Sequence, residues 1–337
     1  MVSEVKELDT YLTAYEKMAV MLAGLLHDLG HGPFSHAFET ISKQKHEAYT
    51  VSIILDEQSE VHQALVNEHP QLPQEVAKII QYLHEKNCLN QMISGQLDAD
   101  RMDYLLRDAY FTGTNYGNFD LERILRTIRV HNGRIVVKES GMHSVEDYVM
   151  ARYHMYWQVY LHPVARSYEK LLIGFFKRIK QLYQDDPTSL QEVTMFHPFL
   201  KDTPASNEDL YRLDESATSY GFSVLQNHQD KIIADLASRL LNRRLFVYEP
   251  LLDEQHYQEI EEKVKAFGYD PTYYVYRDTI TQRPYAPYTG KEEKDAVWIL
   301  KENGDVIALE EASEIVRALT KMEEREVQKV FYPDKAI

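Results

Sequence analysis

Apolar side chains recur at helical intervals through Leu12, Tyr15, Met18, Ala19, Leu22 and Leu26, which predicts a helix over residues 11–26. The pattern stops at His27-Asp28, and Gly30, Gly32 and Pro33 follow as helix breakers. Further helices are predicted over 34–41, 45–55, 74–83 (Val76, Ile79, Ile80, Leu83) and 91–108. Asn132-Gly133 is a favoured two-residue turn, so residues 129–138 read as a β-hairpin. Ser144 is placed to cap a helix running past Tyr160 toward Pro163, and residues 171–183 are helical again. Past about residue 245 the pattern changes. Residues 273–276 and 296–300 read as strands, the second turning at Glu302-Asn303-Gly304-Asp305 into 306–309. Residues 185–187 and 201–208 read as surface connections, and no repeat of fixed period or low-complexity tract is present. The expectation is a mainly α protein: a helical core over 1–175, a helical extension over 176–245 and a smaller mixed α+β region over 246–337.

Composition narrows the class without changing this plan. The chain has 337 residues, 44% hydrophobic and 27% charged, enough for a sizeable core and more than one structural unit. No apolar run approaches the roughly 18 residues a membrane span needs, and the N-terminus has neither a basic start nor an apolar signal core. A single cysteine, Cys88, rules out an internal disulfide framework and suits a reducing compartment, so a cytoplasmic location is expected. The formal charge of −16 argues against strong nucleic-acid binding. It leaves room for a small polyanion held by local arginines and a metal.

Candidate chemistry begins where the first helix ends. His27, Asp28, His31 and His36 crowd into ten positions, and burying four such groups without partners is costly. A neutral imidazole and an adjacent carboxylate can converge on one divalent cation, and His31, one turn on from His27, is placed on the same face. A lone histidine on an apolar helix is more often a satisfied core residue; four polar groups together are harder to explain that way. A second cluster runs from Gln96 to Asp108, with Asp100, Tyr104 and Asp108 one turn apart. It reads either as a solvated charge ladder or, since Leu97, Met102, Leu105 and Leu106 demand packing, as a helix offering Asp100 to the same metal. In a third cluster Arg152, Tyr156 and Tyr160 fall at successive turns, joining a guanidinium to phenols in a combination that suits a nucleotide or a packed core.

Together these strings resemble the HD superfamily of metal-dependent phosphohydrolases. His27-Asp28-Leu29-Gly30-His31-Gly32-Pro33-Phe34-Ser35-His36, His46-Glu47, Asp98-Ala99-Asp100-Arg101-Met102-Asp103-Tyr104 with Arg107-Asp108, and Tyr160-Leu161-His162 resemble a narrower branch. That branch is the deoxynucleoside triphosphate triphosphohydrolases related to the sterile-alpha-motif-and-HD-domain protein. The resemblance covers most of residues 15–175 and thins to strings such as Arg243-Arg244-Leu245-Phe246 beyond. It implies an HD-domain helical core, with His27, Asp28 and Asp100 as metal ligands and His46, Glu47 and His31 at the catalytic centre. It implies that His36, Arg101, Tyr104, Asp108, Arg152, Tyr160 and His162 surround a bound dNTP. The implied reaction cleaves a dNTP to deoxynucleoside and inorganic triphosphate, controlling nucleotide pools. The implied cofactor is a divalent metal (Fe, Mn, Ni, Zn or Co), with Mg on the triphosphate. A homo-oligomer, dimer or tetramer, and a nucleotide activator are also implied.

The family pattern includes a further metal-ligating histidine several tens of residues before the His-Asp pair, and no histidine precedes His27 here. The expectation is a sequence that begins inside the domain, or a metal completed by another donor or water. Two alternatives accompany the main reading: an HD-type nucleotidase or phosphodiesterase, and a nucleotide-binding protein inactive for want of that histidine.

Overall fold

Thr13 sets the start of the first long helix. Its side chain accepts from Glu16 N at 3.2 Å while Glu16 Oε2 accepts from Thr13 N at 2.9 Å, a reciprocal cap that begins the helix Ala14–Leu26. The computed structural model describes residues 1–282, 296–321 and 325–335, and the chain is mainly α with small sheets. Its strands are β1 Ile128–His131, β2 Arg134–Lys138, β3 Val247–Pro250, β4 Tyr276–Gln282, β5 Trp298–Leu300, β6 Val306–Ala308 and β7 Arg325–Tyr332. Two compact units are built from interleaved stretches of the chain.

The first unit comprises Met1–Leu29, Thr50–Tyr160 and Gln282–Arg325. The helix Ala14–Leu26 buries Ala19, Val20 and Ala23 and packs on Leu72–Ile80, whose Leu72, Val76 and Ile79 form the facing stripe. A helix Glu60–Glu68, capped by Ser59, was not evident from periodicity. The single helix expected over 91–108 is instead two, Asn87–Ser94 and Ala99–Thr112. The break has two causes: Gly95 is extended, and Asp98 caps the second helix by accepting from Arg101 N at 2.7 Å. The expected hairpin is present as β1 and β2, with Asn132 and Gly133 both at positive φ as a tight turn of this kind requires. β5 pairs parallel with β2, and β6 antiparallel with β5, giving the order β1-β2-β5-β6. Ser144 does not cap: the helix Met142–Met155 follows Gly141 directly out of a 3₁₀ turn, so Ser144 lies inside its first turn. The continuation expected toward Pro163 changes winding, Tyr156–Tyr160 forming one π-helical turn.

The second unit comprises Gly30–Tyr49, Leu161–Thr281 and Glu326–Ile337. Its spine is the helix Pro163–Asp185, which buries Leu171, Leu172, Phe175, Phe176 and Ile179 and packs against Lys231–Leu241. Glu215–Leu225 packs on Lys231–Leu241 in turn. Asp278 on β4 is buried between Lys170 Nζ at 2.6 Å and the Arg166 guanidinium, which ties β4 to the spine. The strand expected over 273–276 is a short helix, Pro271–Tyr274, because Asp270 caps it and Pro271 favours its first position; β4 starts only at Tyr276. β3, β7 and β4 form a sheet in the order β3-β7-β4.

The segment after the His-Asp pair also departs from the expected helix over 34–41. Phe34 and Ser35 are left-handed, with φ of 60° and 50°, and only short turns form at Ser35–Ala37 and Glu39–Ser42. Tertiary anchoring overrides local preference here. The Phe34 ring stacks near Phe222 at 6.0 Å, and Phe38 meets Phe199 edge-on at 4.9 Å and Phe176 at 6.0 Å. Gly32 lies so close beneath Phe38 that a Cβ there would stand 2.2 Å from its ring. Gly32→Ala is expected to cost about 1–3 kcal/mol by displacing Phe38, seen as a lowered denaturant midpoint; an unchanged midpoint would show that the ring yields freely.

Candidate active site

His27 closes the helix Ala14–Leu26 as its C-cap. Its Nδ1 lies 2.9 Å from Gly24 O, and since a carbonyl only accepts, Nδ1 carries the proton. Nε2 is thereby turned toward two carboxylates, 3.4 Å from Asp28 Oδ2 and 3.6 Å from Asp100 Oδ1. The fully buried Thr50 donates to the His27 carbonyl at 2.9 Å and fixes the residue from the other side. Asp100 comes from the first turn of Ala99–Thr112, where the Asp98 cap sets the helix start. The facing Asp100 carboxylate is the main reason the His27 pKa is pushed up to about 9; Asp28 adds to it and burial opposes it. One imidazole of fixed tautomer and two converging carboxylates are a donor set that could hold a divalent cation.

The same unit holds the phenols and arginines. Tyr160 donates to Asp108 Oδ2 at 2.5 Å, and burial first, then this bond, pushes its phenol far above the ordinary range. Tyr104 and Tyr156 both lie edge-on to Tyr160, at 5.9 Å and 5.2 Å. Arg152 Nη1 donates to Gln96 Oε1 at 2.6 Å, and the guanidinium also lies 5.9 Å from the Tyr156 ring centre. Tyr148, itself buried, donates to Gln96 O at 2.9 Å and fixes that loop. Arg101 is engaged otherwise, with Asp98 Oδ2 at 3.1 Å and with Gly95 O. Burial pushes the Asp98 carboxyl up to about 6 in spite of Arg101. Arg101 is thus paired directly with the Asp98 carboxylate, whereas Arg152 hydrogen-bonds a neutral amide and also acts on the Asp98 charge. Gln96 and Asp98 lie within the second sequence cluster but were given no role there, although a capping Asp one residue before a helix is a recognisable signal. Asp103 and Arg107 form the exposed charge pair of the ladder reading.

The second unit brings three histidines together. His31 lies beyond the end of the first helix, so the one-turn relation to His27 does not apply. It stacks instead on His46, with ring centres 3.8 Å apart and planes at 14°. His46 Nδ1 donates to Glu39 Oε1 at 2.7 Å, and the other Glu39 oxygen lies 3.5 Å from His36 Nδ1. Glu47 Oε1 is 3.6 Å from His46 Nε2. Burial raises the Glu39 carboxyl, but the His46 hydrogen bonds and the charge of His36 outweigh it and hold the group below its ordinary value. Glu39 was missed in the sequence; its spacing of three from His36 and seven from His46 was the available sign. His162 is exposed and caps Pro163–Asp185, its Nδ1 accepting from Val164 N at 3.3 Å.

A His-Asp pair closing one helix and meeting a carboxylate from the start of another is the pattern of an HD-type phosphohydrolase. Residues 11–108 match the HD domain family, and residues 119–266 match the HD associated region. The Bacillus subtilis protein YwfO is 42% identical over 327 residues, covering 96% of this chain and 75% of that protein. The chain belongs to the HD-domain family. The Dictyostelium discoideum homologue of the deoxynucleoside triphosphate triphosphohydrolase SAMHD1 is 28% identical over 187 residues, 50% of this chain and 35% of that protein. A crystal structure of a phosphohydrolase from Bacteroides thetaiotaomicron superimposes with a TM-score of 0.81 at 28% identity, covering 98% of this chain and 83% of that one. Several other curated relatives are spanned over less than two thirds of their length.

In metal-free protein, the imidazole carbon signals of His27 are expected to titrate near pH 9, and Asp100→Asn is expected to bring that midpoint down. A native midpoint near the ordinary 6.5 would mean that Asp100 does not engage the ring. Because the folded pKa is raised, the stability this group contributes is complete below about 6.5 and is lost as pH rises through about 9.

Proposed function

We propose that this chain hydrolyses deoxynucleoside triphosphates to deoxynucleoside and inorganic triphosphate. The observation that carries the reading is the convergence of His27 Nε2, Asp28 and Asp100 in the unit that also holds Arg152 and the Tyr160–Asp108 pair. A divalent cation on His27, Asp28 and Asp100 would supply positive charge and Lewis acidity at the α-phosphate. Arg152, hydrogen-bonded to the neutral Gln96 amide, binds phosphate oxygens, while Arg101 braces the start of the Asp100 helix. Tyr160, held by Asp108 and flanked by Tyr104 and Tyr156, packs against the sugar and base and excludes a ribose 2′-hydroxyl by clash. In this reading a water forms the new bond to the α-phosphorus as the bond to the 5′-oxygen breaks, and His46 delivers a proton to that leaving oxygen, with Glu39 fixing its ring, Glu47 beside it and His31 stacked on its face. His36 contributes to the phosphate surroundings, and His162 to the sugar and base. Nucleotide activation and a homo-oligomeric dimer or tetramer belong to the same reading and rest on family likeness.

The decisive assay incubates the chain with dGTP, a divalent metal and candidate nucleotide activators, and separates the products by ion exchange. Deoxyguanosine and triphosphate in equal amounts are expected; pyrophosphate or single phosphate would overturn the assignment. Asp100→Ala is expected to lose bound metal and more than about 100-fold in rate. His46→Ala is expected to keep the metal and lose about 10²–10⁴-fold. Cation binding must displace the His27 proton, so affinity is expected to rise with pH up to about 9, with proton release seen by calorimetry in buffers of different ionisation enthalpy. A pH-independent affinity would exclude His27 as a ligand.

A further inference from the structure

A second set of metal-ligating atoms lies in the histidine-rich segment of the second unit. One ligand atom from each of His36, Glu39 and His46 lies within 4.8 Å of the others. Glu39 stands between the two imidazoles, one carboxylate oxygen 2.7 Å from His46 Nδ1 and the other 3.5 Å from His36 Nδ1. We propose that His36, Glu39 and His46 form a binding site for a borderline transition cation, zinc above all, that takes His46 out of use.

The chemistry of the donors sets the preference. Two imidazoles and one carboxylate suit Zn, Co and Ni, whereas the one imidazole and two carboxylates of His27, Asp28 and Asp100 also accept Mn, Fe and Mg readily. The three donors sit on short turns, Ser35–Ala37 and Glu39–Ser42 and the first residue of His46–Leu55, so the set is held by backbone rather than by long flexible reach. Phe34 and Phe38 anchor those turns in the aromatic core. His31 stacked on the His46 ring limits its rotation. The His36 side chain is 72% exposed, which leaves an entry path and room for water to complete the coordination. Binding requires the Nδ1 proton of His46 to leave, so the cation replaces that proton on the Glu39 side. A ring engaged in this way no longer serves in proton transfer, and zinc in excess inhibits; this consequence alone rests on the function proposed above.

The experiment counts metal rather than turnover. The full chain, stripped of metal, is dialysed against Zn²⁺ alone or Mn²⁺ alone and its metal content is measured. The wild type is expected to hold one more equivalent of zinc than of manganese. Glu39→Gln and His36→Ala are each expected to lose that extra zinc and keep their manganese, which also reports that the chain is folded. Equal zinc and manganese in the wild type, or undiminished zinc in Glu39→Gln, would overturn the proposal. Co²⁺ added to the wild type gives a check without substitution: its visible absorption is expected to titrate in two phases, and a single phase counts against the second site. If dNTP turnover fails while the zinc count holds, only the reading of the reaction falls; if the count fails while turnover holds, only this site does.

Discussion

The geometry of the first unit turns on one constraint: His27 can bond Gly24 O only through a protonated Nδ1, which commits Nε2 to Asp28 and Asp100. Two carboxylates brought this close to one point repel each other and require positive charge between them. Without a metal the imidazole supplies it by holding a proton to about pH 9. A divalent cation would supply it more fully, and in the proposed reading the neutral ring would then be a ligand instead of a counter-ion. The elevated pKa and the donor geometry are therefore two expressions of one electrostatic arrangement. Thr50 and the Asp98 cap matter because they hold the two ends of it, the His27 backbone and the Asp100 helix start.

The arginines show how partners divide equal side chains into different roles. Arg101 and Arg152 carry the same charge in the same unit. Arg101 spends its hydrogen bonds on Asp98 and a backbone carbonyl, which stabilises the Gly95–Asp98 turn and neutralises the guanidinium locally. Arg152 is positioned by Gln96, a neutral acceptor that fixes direction without cancelling charge.

Much of this was legible in the sequence, and the remainder was hidden for physical reasons. The first helix and its end at His27, the helix expected over 74–83 and found as Leu72–Ile80 with Leu83 outside it, and the Asn132-Gly133 hairpin follow from local rules. So does the α character of the fold. The break at Gly95 was hidden because a single extended glycine with a capping Asp is a weak signal beside the apolar Leu97, Met102 and Leu105 that follow it. The left-handed Phe34 and Ser35 were hidden because their cost is met by Phe222, Phe199 and Phe176, more than a hundred residues away. The parallel pairing of β5 with β2 is equally remote. The His-Asp pair and Asp100 stood out because ionisable residues at helix ends within apolar runs need an explanation. Glu39 did not, and Gln96 and Asp98 had no role assigned within their cluster, because each acts through a partner that only folding supplies.

That distinction bears on how the histidine segment of the second unit is made. A loop whose ligands are arranged only when a metal arrives spends binding free energy on its own ordering. Here the ordering is met beforehand by apolar contacts: Gly32 admits the Phe38 ring, Phe38 locks onto Phe199 and Phe176, and Phe34 onto Phe222. His31, His36, Glu39 and His46 ride on that scaffold, with His31 stacked on His46, His36 edge-on to both rings and His46 hydrogen-bonded to Glu39. The imidazole of His46 is thus oriented by packing and by Glu39, so the cation site proposed above would need no rearrangement of the chain. Aromatic burial and histidine chemistry in this segment are one device: the first fixes the geometry at which the second operates.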